Sequence, residues 1–179
     1  MIRGVMKTLW ELLGGDRAVT RLFNAMKEGQ WDNASSLLEK DPSLVKKKNR
    51  FGNTPLHTAS ALGNTEMTEF LLEHGADVNC CNTMGWTPLH MAGVEDHPGV
   101  IRQLIGAGAD TEARDHLGQT PLHWAAQRGS TGAVQALLEK KADILCRNKK
   151  GNTPLSLAKS GGHQKTAEVI KKYRPKHAQ

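Results

Sequence analysis

The sequence predicts an all-α repeat fold, a solenoid of short helix–turn–helix units in place of a single globular core. Three observations predict it. The phrase NTPLH at Asn53–His57 returns as WTPLH at Trp86–His90, as QTPLH at Gln119–His123 and as NTPLS at Asn152–Ser156. Its threonines, Thr54, Thr87, Thr120 and Thr153, are 33 residues apart each time, and self-similarity at a fixed period of this size marks stacked units. Aromatic residues make up only 4% of the 179, which suits a core of Leu, Ala, Val and Ile packed helix against helix.

Each element of the unit has a local reason. The Thr is a helix N-cap, its hydroxyl placed to accept from a free N–H of the first turn. Pro follows at the first helical position, where its missing N–H costs nothing. Leu56, Leu89, Leu122 and Leu155 are then the first buried anchors. The first helix runs on to Gly63, Gly129 or Gly162, which suit a left-handed C-terminal position. A second helix carries the apolar pairs Leu71–Leu72, Leu104–Ile105, Leu137–Leu138 and Val169–Ile170, and a polar run leads to the next glycine (Gly52, Gly85, Gly118, Gly151). Helices this short fall below the roughly 12–15 residues that an isolated helix needs, so stacking must stabilise them.

The phrases GNTPLHTASALGN (Gly52–Asn64) and LLEHGADVN (Leu71–Asn79), at this period, resemble the ankyrin repeat family. The resemblance covers about residues 50–173 as four repeats. A degenerate repeat precedes them, with Gly29 and Leu37–Leu38 in register with Gly63 and Leu71–Leu72 at an offset of 34. The resemblance implies an ankyrin solenoid with a projecting β-hairpin loop per repeat, and a protein-binding scaffold. The organisation expected is a capping helix over 1–15, a repeat domain over 16–173 (repeats at about 16–49, 50–82, 83–115, 116–148 and 149–173) and a basic tail over 174–179.

Two places depart from the family pattern. Lys141 stands where Gly75 and Gly108 stand in earlier repeats, and a side chain in left-handed geometry costs roughly 1 kcal/mol. Asp96 holds the position of Gly63, with Pro98 opening the second helix; Asp tolerates that geometry better than most residues.

The ends are read from pattern and charge. Val5, Leu9 and Leu12 recur at helical spacing, flanked by Met6, Trp10 and Leu13. This stretch reads as an end cap over the first repeat; the other reading is a helix that docks on a partner or membrane. No cleavable leader pattern and no apolar run near 18 residues occurs. Residues 140–179 hold 11 Lys or Arg against Asp143 and Glu168, a balance of +9, and the remainder carries −3 of the total +6. That basic end reads as a solubilising cap, or else as a dock for an acidic partner, RNA or an anionic surface.

Catalytic and metal chemistry find no motif. His57, His90 and His123 occupy one position of successive repeats, so they form a ladder and do not converge on a point as metal ligands must. The resemblance implies that each joins a hydrogen-bond network with its Thr hydroxyl. No nucleophile elbow, zinc-protease or phosphate-loop pattern occurs. Cys80 and Cys146 hold equivalent positions two repeats apart, on the order of 16–20 Å at the usual helix spacing, too far for a disulfide. Adjacent Cys80 and Cys81 are not expected to bridge. Free thiols suit a reducing compartment, and a cytoplasmic location is expected. The expectation is no enzyme, no cofactor and no metal.

Function must then lie in what varies between copies. The resemblance places partner binding on the loop tips and the first-helix face. Carried over position by position, the tips give Arg50, Phe51, Asn53, Thr83, Met84, Trp86, His116, Leu117, Gln119, Lys149 and Lys150. The ends of the first helices give Leu62, Val94, Glu95, Gln127 and Arg128. Phe51, Met84 and Leu117 form an apolar row, and Trp86, beside Met84, has the composition of a binding anchor; packing between neighbouring tips is the other reading. Asn79 resembles the ankyrin-repeat asparagines hydroxylated by a 2-oxoglutarate-dependent hydroxylase, and it is also a plain consensus loop residue; the equivalents Glu112 and Leu145 do not qualify. The expected function is a monomeric, non-catalytic adaptor or inhibitor that binds another protein. The alternative is binding of nucleic acid or an anionic surface through the basic end.

Overall fold

A computed structural model describes residues 16–173. The expected N-terminal cap (1–15) and basic tail (174–179) lie outside the described residues. Within them the chain is a stack of helix pairs: α1 (Arg17–Lys27) with α2 (Trp31–Lys40), α3 (Pro55–Leu62) with α4 (Thr65–Glu73), α5 (Pro88–Val94) with α6 (Pro98–Gly106), α7 (Pro121–Arg128) with α8 (Thr131–Glu139), and α9 (Pro154–Ser160) with α10 (Gln164–Lys172). First helices pack on first helices along the whole stack, and from α4 onward second helices pack on second helices. A short 3-10 turn, Pro42–Lys46, follows α2 and buries Leu44 and Val45.

The helices start and stop as their sequences dictate. Thr54, Thr87, Thr120 and Thr153 are extended N-caps, and each is followed by Pro in the first turn. Gly63 and Gly129 close α3 and α7 in left-handed geometry at φ 70° and 76°. Asp96 and Lys141 adopt positive φ of 59° and 64°, the conformation that the missing glycines imply. Leu56, Leu89 and Leu122 are completely buried between neighbours, whereas Leu155 is only half-buried, because no described element covers that face of α9.

The His of each phrase ties one repeat to the next. The N–H of Thr54 donates to Nδ1 of His57 at 3.2 Å, and the Thr54 hydroxyl lies 2.8 Å from the same nitrogen. Nδ1 therefore accepts, so the neutral ring carries its proton on Nε2, which donates to the Trp86 carbonyl at 2.9 Å. His90 reaches the Gln119 carbonyl and His123 the Asn152 carbonyl in the same way, at 3.1 and 3.0 Å. In the last repeat Ser156 replaces the His; its hydroxyl accepts from the Thr153 N–H at 2.9 Å but bonds no farther than Thr153.

A second tie was not read from the sequence. Nε2 of His97 lies 3.1 Å from the Ala61 carbonyl, Ser130 donates to the Val94 carbonyl at 3.0 Å, and Nε2 of His163 lies 3.0 Å from the Gln127 carbonyl. Asp96 adds a cross-repeat contact of its own, accepting from the Ala133 N–H in the first turn of α8 at 2.6 Å.

The projecting loops are tight hairpin turns, each closed by a main-chain bond from the N–H of Asn49, Asn82, Asp115 or Asn148 to the carbonyl four residues on. No strand occurs among the described residues. Asn49, Asn82, Asp115 and Asn148 each place Oδ1 against two turn N–H groups, two and four residues on. The side chain thus takes donors that a strand ladder would otherwise use.

Candidate functional site

The turns are bound to one another in a row. The Thr83 N–H donates to the Phe51 carbonyl at 3.2 Å, the His116 N–H to Met84 at 3.3 Å and the Lys149 N–H to Leu117 at 3.1 Å. Close approach requires the glycines: a Cβ on Gly52 would lie 2.8 Å from the Thr83 nitrogen. Side chains reinforce the row. The Thr83 hydroxyl donates to the Phe51 carbonyl, Nε2 of His116 lies 3.2 Å from the Thr83 carbonyl, and the Lys149 ammonium donates to the His116 carbonyl at 2.9 Å. Three of the sequence-predicted binding residues, Thr83, His116 and Lys149, are therefore struts of the row.

The apolar tips stand out from it. Phe51, Met84 and Leu117 are 50%, 51% and 52% exposed. The Arg50 guanidinium sits over the Phe51 ring, 4.7 Å from its centroid. Leu62, Glu95, Gln127, Arg128 and Lys150 are exposed, and Val94 is half-buried.

Behind the tips runs a ladder between residues 29 apart. Nδ2 of Asn82 donates to Oδ1 of Asn53 at 2.8 Å, and Nδ2 of Asn148 to Oε1 of Gln119 at 3.2 Å. At the middle rung the roles reverse: Trp86 donates its indole N–H to Oδ2 of Asp115 at 3.1 Å. Trp124 donates to the same oxygen at 2.7 Å, and the two indoles meet edge to face at 4.7 Å between centroids. Asp115 is 6% exposed, and its two oxygens accept from four N–H groups. Trp86 is thus a half-buried rung whose indole N–H is already engaged, and Gln119, at 3% exposure, is also a rung. The last rung is open: the Asn152 carboxamide has no hydrogen-bond partner among the described residues.

Between the last two turns and the helices α7 and α9 lies a groove of about 200 Å³. It brings together five sequence-predicted residues, Leu117, Gln119, Gln127, Lys149 and Lys150, with Trp124 and Leu157. Sequence reasoning missed the last two. Both directly follow the last residue of the phrase, at the position of Thr58 and Met91, and the indole of Trp124 was the available signal.

The chemistry of the site is that of a surface. Burial holds the His57 imidazole down at about 4 from its ordinary 6.5, against the pull of the Trp86 carbonyl, with a further push from Lys48. Burial lowers His90 and His123 as well. Burial raises the Cys146 thiol to about 11, so it stays protonated and donates to the Asp143 carbonyl at 2.9 Å. Cys80 and Cys81 are unbridged. Asn79 links two repeats: its Nδ2 donates to the Gly108 carbonyl and its Oδ1 accepts from the Asp110 N–H. Among the described residues no three His, Cys, Asp or Glu side chains gather at metal-binding distance, and no helix is long and apolar enough to cross a membrane.

Comparison with known proteins agrees with this architecture. A family model described as ankyrin repeats in three copies matches residues 22–115 and again 95–178. The E3 ubiquitin-protein ligase XBAT33 of Arabidopsis thaliana is 44% identical over 63 residues, 35% of this chain and 12% of that protein. BCL-6 corepressor-like protein 1 of Homo sapiens is 41% identical over 61 residues, 34% of this chain and 3% of that one. Cyclin-dependent kinase 4 inhibitor B of Bos taurus is 37% identical over 73 residues, 40% of this chain and 53% of the inhibitor. The chain thus spans a small fraction of the ligases it matches, such as the 12% of XBAT33. Because the family match runs through the same repeats whose Thr–His–carbonyl ties build the stack, the chain belongs to the ankyrin repeat family.

Proposed function

We propose that the chain is a non-catalytic protein-interaction scaffold, an adaptor or inhibitor, that holds a partner along its turn tips and first-helix face. The observation that carries this reading is the row of Phe51, Met84 and Leu117. They are half-exposed apolar side chains on turns fixed to one another by main-chain hydrogen bonds. A rigid apolar strip loses little conformational freedom on binding, which favours affinity. Repeats of this family mediate protein binding, and one relative sharing part of this chain is named as a kinase inhibitor.

The test is affinity capture from the cells that make the chain, with bound proteins quantified by mass spectrometry. The double variant Met84→Glu, Leu117→Glu should lose the partners that the wild type retains. Leu145→Glu, at an equally exposed leucine off the row, should keep them. Loss with both variants, or with neither, would contradict the reading.

The +9 balance of residues 140–179 supports a second reading, binding of nucleic acid or an anionic surface. Binding of that kind weakens steeply with salt, whereas binding to the apolar row should depend little on it.

A further inference from the structure

We infer that the groove between the last two turns accepts an extended acidic peptide segment carrying one large apolar side chain. This rests on the reading of the chain as a protein-binding scaffold and names the chemistry of the segment it takes.

Size and lining come first. At about 200 Å³ the groove is smaller than the roughly 300–1,000 Å³ of small-molecule and cofactor sites. It has room for one side chain of a longer chain. Leu117, Trp124 and Leu157 give it mostly apolar walls. Burying an apolar anchor against them removes apolar surface from water on both sides, the general driving force of association. The walls are also stiff. Trp124 is held by its bond to Asp115 and by its edge contact with Trp86, and the Leu117 turn is tied to the Lys149 turn.

The open rung supplies the second argument. Asn53 and Gln119 have their side-chain oxygens engaged by the next repeat, and Trp86 has its N–H engaged. Asn152 is the equivalent residue at the groove, and its carboxamide is unengaged among the described residues. A primary amide offers both a donor and an acceptor, the pair that one peptide group of an extended chain presents. Asn152 lines the groove, so a peptide group of a segment lying there can pair with this amide.

Charge sets the sign of the segment. No acidic residue lines the groove, and two lysines do. Lys150 has no ion-pair or side-chain hydrogen-bond partner among the described residues. Lys149 donates to one carbonyl, which leaves two of its three N–H groups. The buried carboxylate of Asp115 is met by four N–H groups and is not part of the lining. Carboxylates flanking the apolar anchor therefore meet lysines that lack counter-charges. The same features argue against a nucleic-acid strand, because the recess is walled by leucines and holds a single indole, where base stacking uses a succession of open aromatic faces.

The experiment selects phage-displayed random dodecapeptides on the full-length chain and titrates the most enriched one as a synthetic peptide. Tryptophan emission and calorimetry are the readouts. Enriched sequences should carry one large apolar residue with at least two Asp or Glu within about three positions of it. Binding should change tryptophan emission and weaken at least tenfold in Lys150→Glu and in Leu157→Ala. Leu145→Glu should bind as the wild type does. Thermal melts check that each variant is folded; Lys150 is exposed, so its replacement tests the idea even if Leu157→Ala loosens the last repeat. The inference is overturned if no sequence is enriched, or if the enriched peptides are basic or uncharged. Equal binding by the folded Lys150→Glu variant overturns it too. So does a 20-nucleotide polyuridylate that displaces the peptide and binds more tightly in the same buffer. If peptides fail while captured proteins still depend on Met84 and Leu117, this inference falls alone; if that dependence is absent too, the scaffold reading falls with it.

Discussion

Nε2 of His57 lies 2.9 Å from the carbonyl oxygen of Trp86, one repeat away. The Thr54 cap requires a neutral ring whose Nδ1 accepts, so protonation of Nδ1 breaks the cap and places a charge on a buried ring. The folded value of about 4 lies below the ordinary 6.5, so the unfolded chain binds more protons between those values. Stability is therefore full above about pH 6.5 and is lost as the pH falls toward 4. At about 1.4 kcal/mol per unit the loss from His57 is of order 3 kcal/mol, and His90 and His123 shift in the same direction. Urea midpoints measured from pH 7.5 to 4 should fall across that window and fall less in His57→Gln. A flat profile would refute the tie.

Asp115 joins Trp86 to Trp124, and Asp115→Asn would set an amide N–H₂ against two indole N–H groups. The turn itself should survive, because Asn82 and Asn148 build the same turn. A cost of roughly 1.5–3 kcal/mol is expected, the range for bonds to a charged group. Adding Trp86→Asn recreates the pairing seen between Asn53 and Asn82, so the double variant should cost less than the sum of the single ones. Simple additivity in denaturation midpoints would show that Trp86 and Asp115 are uncoupled.

Lys141 sits at φ 64° with its side chain exposed. Lys141→Gly should stabilise by about 0.5–1 kcal/mol, the relief of left-handed strain less the entropy that glycine adds to the unfolded chain. A lower melting temperature would contradict this.

Ser60 is fully buried in α3, and its hydroxyl has no hydrogen-bond partner. The equivalent residue in α7 is Ala126. Ser60→Ala should therefore stabilise, by about 1 kcal/mol from the low end of the desolvation penalty. Destabilisation would reveal a partner for the hydroxyl.

Leu89 and Leu155 are the same residue of the repeat in different surroundings. Leu89 is covered on both sides, and Leu89→Ala should cost roughly 2–5 kcal/mol. Leu155 is half-buried, so Leu155→Ala should cost less than half as much. Equal losses would show that the last repeat is covered as fully as the others.

The stack was legible because its signals are local and repeated. Thr caps, Pro first turns and closing glycines act within a few residues, and a period of 33 places them in register. The left-handed Asp96 and Lys141 were legible for the same reason, as exceptions to a pattern. What was not legible depends on residues 29 to 37 apart that meet only once the repeats stack. Trp86 looked like a free anchor because its counterparts are polar; Asp115 supplies the acceptor that makes an indole fit the rung. Thr83, His116 and Lys149 looked like ligand-facing variation, yet they bond the carbonyls of the preceding turn. Trp124 and Leu157 escaped notice because the helix position that faces the groove carries Thr58 and Met91 in earlier repeats.

The central claim is that a partner lies along the tips and the first-helix face. Hydrogen–deuterium exchange of the full chain, alone and with a captured partner, tests it most directly. The account predicts slowed exchange in the turns at 49–53, 82–86, 115–119 and 148–152 and in α5, α7 and α9, with α4, α6 and α8 unchanged. Protection confined to α4, α6, α8 or α10, with the turns exchanging as in the free chain, would contradict it.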